Sequence, residues 1–250
     1  RQVASFTEGA VAWLSYADRL YQLPLGVVGI AIGTVLLPVL SRHLRAGEHD
    51  QARNSFSRGA EFAIFLTLPA AVALVVISTP LISVLYDRGA WAPEDTTATA
   101  LALAAYGLGL PAFVLHKVLQ PLYYAREDSR SPFRFALVSM GVNAAFAIGM
   151  MPVMGFVAAA LATTVSGWVM VGQLWWGARK MGDAARPDAR FWRRLWRIAL
   201  ISGAMGVQLW VTADWLAPQL AQPGGARWGA LGLLCGSGIA LYFALGALIG

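Results

Sequence analysis

A sparse set of polar side chains interrupts stretches of this chain that are otherwise apolar: the adjacent Asp18 and Arg19, then Lys117, Asn143, Thr163, Thr164 and Gln173. A cation inside hydrocarbon costs at least ~2.5 kcal/mol on insertion scales, so it is tolerated mainly where it faces other helices or a water-filled cavity. Cations lining a cavity suit an anionic substrate, and arginine adds a planar fork that matches phosphate oxygens. Arg19, with Asp18 beside it, and Lys117 are therefore the candidate substrate-binding residues. Asn143 and Thr163 are the candidates for a polar cavity or ion site. Blander readings stand beside these. Asp18 would neutralise Arg19 at an interface, either cation would snorkel to headgroups, and Asn143 and the Thr163–Thr164 pair would hydrogen-bond neighbouring helices.

Catalysis is not expected. The sequence shows no HExxH, no paired-aspartate motif, no phosphate-cradling glycine loop and no Ser-His-Asp set. Cys235 is the one cysteine, which excludes an intrachain disulfide or a cysteine-based metal cluster. His43 and His49 lie six apart in a stretch rich in charge, a pattern of a solvated loop rather than a metal site. Neither a metal nor a cofactor is predicted.

The segments that must position these residues are long and apolar. Hydrophobic residues make up 58% of the chain and charged residues 13%, about half the charged fraction usual in soluble domains. About 20 apolar residues cross a bilayer, and the first span, Leu20 to Ser41, is long enough. It contains Pro24 and Pro38, which predict kinks, and a face of Gly26, Gly29 and Gly33 that predicts close approach of a neighbour. A polar loop over 42–58, a second span over 62–86 and a third over 96–122 follow. Residues 135–178 carry no charge and are long enough for two spans, turning at 151–155. A basic loop over 179–197, a sixth span over 198–216 and a seventh over 228–250 complete an all-α bundle. Residues 1–9 read as the end of an earlier helix plus a turn. The chain starts at Arg1 and stops inside LYFALGALIG, so a piece of a longer protein is expected.

Lys and Arg in successive loops number four, one, three, none, seven and one. The positive-inside rule puts the rich loops in the cytoplasm. It also accounts for the net charge of +6 without nucleic acid.

The strings YADRLYQLPLGVVGIAIGTVLLPVLS, RHLRAGEHDQARN, LPAAVALVVISTPLISVLYDRGAW and PLYYAREDSRSP, in that order and spacing, resemble the MurJ (MviN) family, the lipid II flippases of bacterial cell-wall synthesis. The match covers essentially the whole chain and corresponds to the second half of such a protein, from the end of its seventh helix to its fourteenth. The resemblance implies the C-terminal lobe of a two-lobed, MATE-like transporter in the bacterial inner membrane. Residues 1–181 would be lobe helices and 182–250 the last two helices, forming a lipid-tail groove. It implies that Arg19, in the matching ADR motif, is a cavity arginine, that lipid II and membrane lipids are partners, and that cell-wall synthesis proteins are further candidates. Some members hold sodium with an Asn and an Asp one turn later; Asn143 matches the first, and Ala147 stands at the second. Alternatives are a polysaccharide or drug exporter of the same superfamily, a membrane glycosyltransferase using a polyprenyl carrier, and a helix-packing scaffold.

Overall fold

The computed structural model describes residues 9–182, 185–222 and 224–249. Its helices are α1 (Ala10–Arg45), α2 (His49–Val76), α3 (Ser78–Tyr86), α4 (Pro93–Tyr124), α5 (Arg130–Met154), α6 (Val157–Ala178), α7 (Ala189–Trp215), the single turn α8 (Ala217–Leu220) and α9 (Gly225–Ile249). Seven of them are long and apolar enough to cross a membrane, in agreement with the seven expected spans. The turn expected before α1 lies largely outside the described residues.

Three boundaries differ from expectation, two of them because helices continue through segments that read as polar loops. The polar loop over 42–58 shrinks to 46–48: α1 continues to Arg45 and α2 begins at His49. Basic residues in the last turn of α1 (Arg42, His43, Arg45) complement the helix dipole there, and the His43 ring meets Glu48 at 2.6 Å. The second span is two helices, broken at Ile77. Pro80 then falls in the first turn of α3, where a missing N–H costs no intrahelical bond. In the basic loop, α7 starts at Ala189, capped by the Asp188 carboxylate accepting from the Phe191 amide at 2.7 Å. Helix α1 is continuous through Pro24 and Pro38.

Helix α4 is the post of the bundle and packs against α1, α2, α3 and α6. Of its most apolar 18 residues 72% are buried, against 11% for α5, which leans on α6 at the periphery. The α4–α6 contact is tight enough to need glycine. A Cβ at Gly109 would come within 2.6 Å of the Thr164 hydroxyl and 2.8 Å of the Phe113 ring.

Two hydrophobic cores result. The larger joins α1, α2, α4 and α6 around Leu103, Leu110, Leu119 and Phe56. The smaller joins α7, α8 and α9 to the α2–α3 junction around Ile77, Leu209 and Leu234. The Tyr242 hydroxyl of α9 ties the two by donating to the Phe65 carbonyl of α2 at 2.6 Å.

Contacts between loops give the bundle two chemically distinct ends. Arg53 donates to the Arg186 carbonyl and Arg126 to the Met181 carbonyl, so the three cation-rich segments share one end. At the other, Arg227 reaches the Asp87 carbonyl, Arg88 lies over the Trp228 ring and Trp13 of α1 packs on Phe156. Trp13 also donates to Asp95 at 2.7 Å, joining the starts of α1 and α4.

Candidate functional site: a polar cavity flanked by outward cations

Side chains of four helices enclose a cavity of about 590 Å³. Leu14, Asp18 and Tyr21 come from α1, Tyr106 from α4, Asn143 and Ala147 from α5, and Ala159 and Thr163 from α6. The spacing Leu14, Asp18, Tyr21 is the i, i+4, i+7 stripe of one helix face, which aims a carboxylate and a phenol into the same space. The Tyr21 and Tyr106 rings meet at 4.8 Å between centroids. The Tyr21 hydroxyl donates to Asp18, and so does the carboxamide of Gln22, one turn along the helix.

Small side chains of α5 and α6 hold the far wall. Asn143 Nδ2 donates to Ser166 Oγ at 3.3 Å, Ser166 donates to the Thr163 carbonyl, and Thr163 Oγ1 donates to the Ala159 carbonyl at 3.0 Å. Thr164, one residue on, faces the opposite way and donates to the Ala105 carbonyl of α4 at 2.6 Å. Gln173 lies further along the same pair of helices, donating to Ser139 Oγ at 3.2 Å.

The structure thus brings Asp18, Asn143 and Thr163 together and leaves Arg19 and Lys117 outside this cavity. Successive residues of an α-helix point about 100° apart, so Asp18 and Arg19 cannot both face one space. Arg19 is exposed on α1, on the side where its charge acts on Tyr86 of α3. It lies six residues, about 9 Å of helix rise, inward from the interfacial Trp13. Lys117 of α4 is exposed as well, its aliphatic stem crossing Gly29 of α1, where a Cβ would come within 2.6 Å of Lys117 Cδ. Of the small-residue face on α1, Gly29 therefore serves this crossing, while Gly26 and Gly33 open onto space.

A sodium ion would find a partial ligand set here. Ala147 lines the cavity and presents a methyl group where the resemblance places a carboxylate, leaving Asp18 as the acidic residue of the lining. No group of three His, Cys, Asp or Glu that could hold a metal occurs among the described residues. Hard cations are bound by several oxygens, carboxylates foremost, and the residues present do not meet that requirement.

Two features escaped the sequence reading. Tyr21 and Tyr106 are aromatic residues in apolar runs, and the signal for Tyr21 was its place one turn after Asp18; Tyr106 carried none. The second is an ion-pair network between α2 and α7: Arg58 binds both Glu61 and Asp188, and Arg194 binds Glu61 from the other side.

The sequence profile of a family described as Lipid II flippase MurJ matches residues 1–221. A probable lipid II flippase MurJ of Rhizobium meliloti (strain 1021) is 45% identical over 251 residues, covering 99% of this chain and 46% of the relative. Its counterpart in Vibrio cholerae is 36% identical over 252 residues, covering 99% and 47%. A solved structure titled Lipid II flippase MurJ, inward closed conformation, superposes with a TM-score of 0.79 at 26% identity, covering 99% of this chain and 49% of that one. The chain spans about half the length of the curated relatives it matches.

Proposed function

Since the chain belongs to the MurJ family, we propose that it is the carboxyl-terminal half of a flippase that carries lipid II across the bacterial inner membrane, a transporter and not an enzyme. The observation that carries this reading is the exposure of Arg19 and Lys117 on helices of membrane-spanning length. A cation facing hydrocarbon is unfavourable, so both side chains face a polar space shared with the other half of the protein. There a guanidinium fork and an ammonium bind the diphosphate of the substrate. Asp18, Asn143, Thr163 and the two phenols form the polar floor behind that space and hold α1 in register against α5 and α6.

Residues 1–181 act as the transport lobe, and 182–250 form a lipid-facing pair. The support for that division is the separate core of α7–α9 and an apolar groove of about 300 Å³ between α2, α7 and α9, lined by Phe65, Pro69, Met205, Leu209, Gly238 and Tyr242 among others. A polyprenyl tail fits its chemistry. The test is growth of flippase-depleted cells carrying the full-length protein. Wild type restores growth, whereas Arg19→Gln combined with Lys117→Gln fails to do so at normal membrane abundance. Restored growth by that double variant would overturn the reading.

A further inference from the structure

At the end of the bundle opposite the cation-rich segments, the rings of Tyr16, Tyr86 and Trp91 form one wall. Tyr86 ends α3 and stacks on Trp91 of the loop that leads to α4, with ring centroids 5.8 Å apart and planes 23° apart. Tyr16 of α1 closes the corner, its centroid 4.8 Å from Tyr86 and 5.2 Å from Trp91, at steeper angles. The wall is held from behind. Trp91 Nε1 donates to the hydroxyl of buried Thr96 on α4 at 2.8 Å, and the α3–α4 loop turns through Gly89 in the left-handed region that favours glycine. Tyr16 is exposed and the other two rings are half-buried, so part of the aromatic surface stays open. Aromatic residues are common at a membrane interface. What sets these apart is Arg19, one turn along α1 from Tyr16 and exposed on the same face, with its charge acting on Tyr86.

The geometry points to this wall as the subsite for a pyranose ring of the transported substrate, the sugar joined directly to the diphosphate. The inference rests on the proposed function, in which Arg19 binds that diphosphate. From Arg19 to Tyr16 the helix rises about 4.5 Å, so a sugar whose phosphate lies on Arg19 falls against Tyr16 without a spacer, and Tyr86 and Trp91 meet it from the α3 side. A pyranose presents a face of C–H groups, which suits the electron-rich face of an aromatic ring, while its hydroxyls point sideways into water. Open aromatic surface at a wet mouth fits such a two-sided ligand. A polyprenyl tail is apolar throughout and is matched instead by the groove between α2, α7 and α9. Because Tyr16 stands at an angle to the Tyr86–Trp91 stack, the corner fixes the orientation of the ring as well as its place. It lies at the end where the headgroup leaves the membrane, and it holds the sugar there just before release.

The test measures binding of lipid II, and of undecaprenyl diphosphate without sugars, to the full-length protein in detergent. Tyr16→Leu weakens lipid II binding about fivefold, the worth of one aromatic stacking contact, and leaves undecaprenyl diphosphate at wild-type affinity, which also certifies the fold of the variant. Trp91→Leu does the same from the loop side. Tyr16→Phe, which keeps the ring and drops the hydroxyl, retains most of the lipid II affinity that Tyr16→Leu loses. Trp228→Leu removes an exposed aromatic of α9 at the same end and leaves both affinities in place. Equal losses for the two lipids in Tyr16→Leu, no loss for either, or a lipid II loss as large in Trp228→Leu or in Tyr16→Phe would overturn the sugar subsite while the role of Arg19 stood. Arg19→Gln weakens both lipids. If it weakened neither, the diphosphate role would fall, and the subsite, which takes its register from Arg19, would fall with it.

Discussion

In the packed interior around α4 the bundle satisfies its buried hydroxyls one at a time. Thr164 bonds the Ala105 carbonyl, Tyr123 the Leu174 carbonyl and Thr67 the Ala63 carbonyl of its own helix. Between α2 and α7 the same chain gathers full charges, with Glu61 buried between Arg58 and Arg194. The difference follows from depth. Mid-membrane, a polar group must find a partner at once, and the nearest is a backbone carbonyl of the helix it crosses. At the headgroup level water and lipid phosphates share the cost, so ion pairs can fasten one helix to another. The first region keeps α1, α4, α5 and α6 close around a small polar cavity; the second fastens the start of α7 to α2 at the rim.

The sharpest way to break this contrast is at Glu61. Glu61→Gln strands Arg194 and half of the Arg58 fork. Removing one partner of a buried pair costs 3–5 kcal/mol, and the partial exposure of both arginines lowers the expected loss to about 2–3 kcal/mol. Thermal unfolding of the full-length protein in detergent reads it as a lower midpoint. An unchanged midpoint would mean that the rim fastens nothing.

A somewhat smaller effect is expected where the first region is dense. Gly109→Leu drives a side chain into Thr164 and Phe113, and overpacking of this kind costs about 1–3 kcal/mol. The same melting experiment applies. Gly33→Leu, on the open side of α1, serves as the comparison and should leave the midpoint of the lobe in place. Equal losses at both positions would refute the special tightness of the α4–α6 crossing.

The smallest effect concerns pH at the rim. Burial alone would raise the Asp188 carboxyl, but the Phe191 amide and the Arg58 guanidinium outweigh it and hold the group below the usual carboxylate range. A lowered folded value means that its contribution is complete above the unfolded pKa of about 3.9 and drains away as pH falls through the folded one. Asp188→Asn keeps a capping side chain and removes the charge, so it should cost about 0.5–1 kcal/mol at neutral pH. The gap to wild type should stay constant from pH 8 to about 5 and close only under stronger acid. A gap that widened on acidification would contradict this assignment.

Much of the fold was legible because hydrocarbon imposes a length and a polarity on each crossing. The seven spans and the alternation of basic loops were both readable in that way, and the structure groups the basic segments at one end. Helix ends were not legible. His49 to Arg58 and Ala189 to Arg197 are amphipathic and charged, and nothing in their composition separates a loop from a helix that continues into water. The polar site was half legible. Asp18, Asn143 and Thr163 stood out as polar groups in apolar runs, and they share a cavity. Their separation from Arg19 follows from the 100° step between neighbours on a helix, so the pair at 18 and 19 serves two different faces. The Glu61 network joins residues up to 133 positions apart, a partnership that only packing reveals.

The role proposed for Arg19 is that of an anion-binding fork and not of a counter-charge. The most direct measurement is lipid II translocation by the full-length protein in reconstituted vesicles, with Arg19→Lys compared with wild type at equal protein content. Lysine keeps the charge and loses the bidentate geometry, so the rate should fall about tenfold or more, the worth of one charge-assisted hydrogen bond. Near-wild-type translocation by Arg19→Lys, and by Asp18→Asn combined with Arg19→Gln, would contradict it.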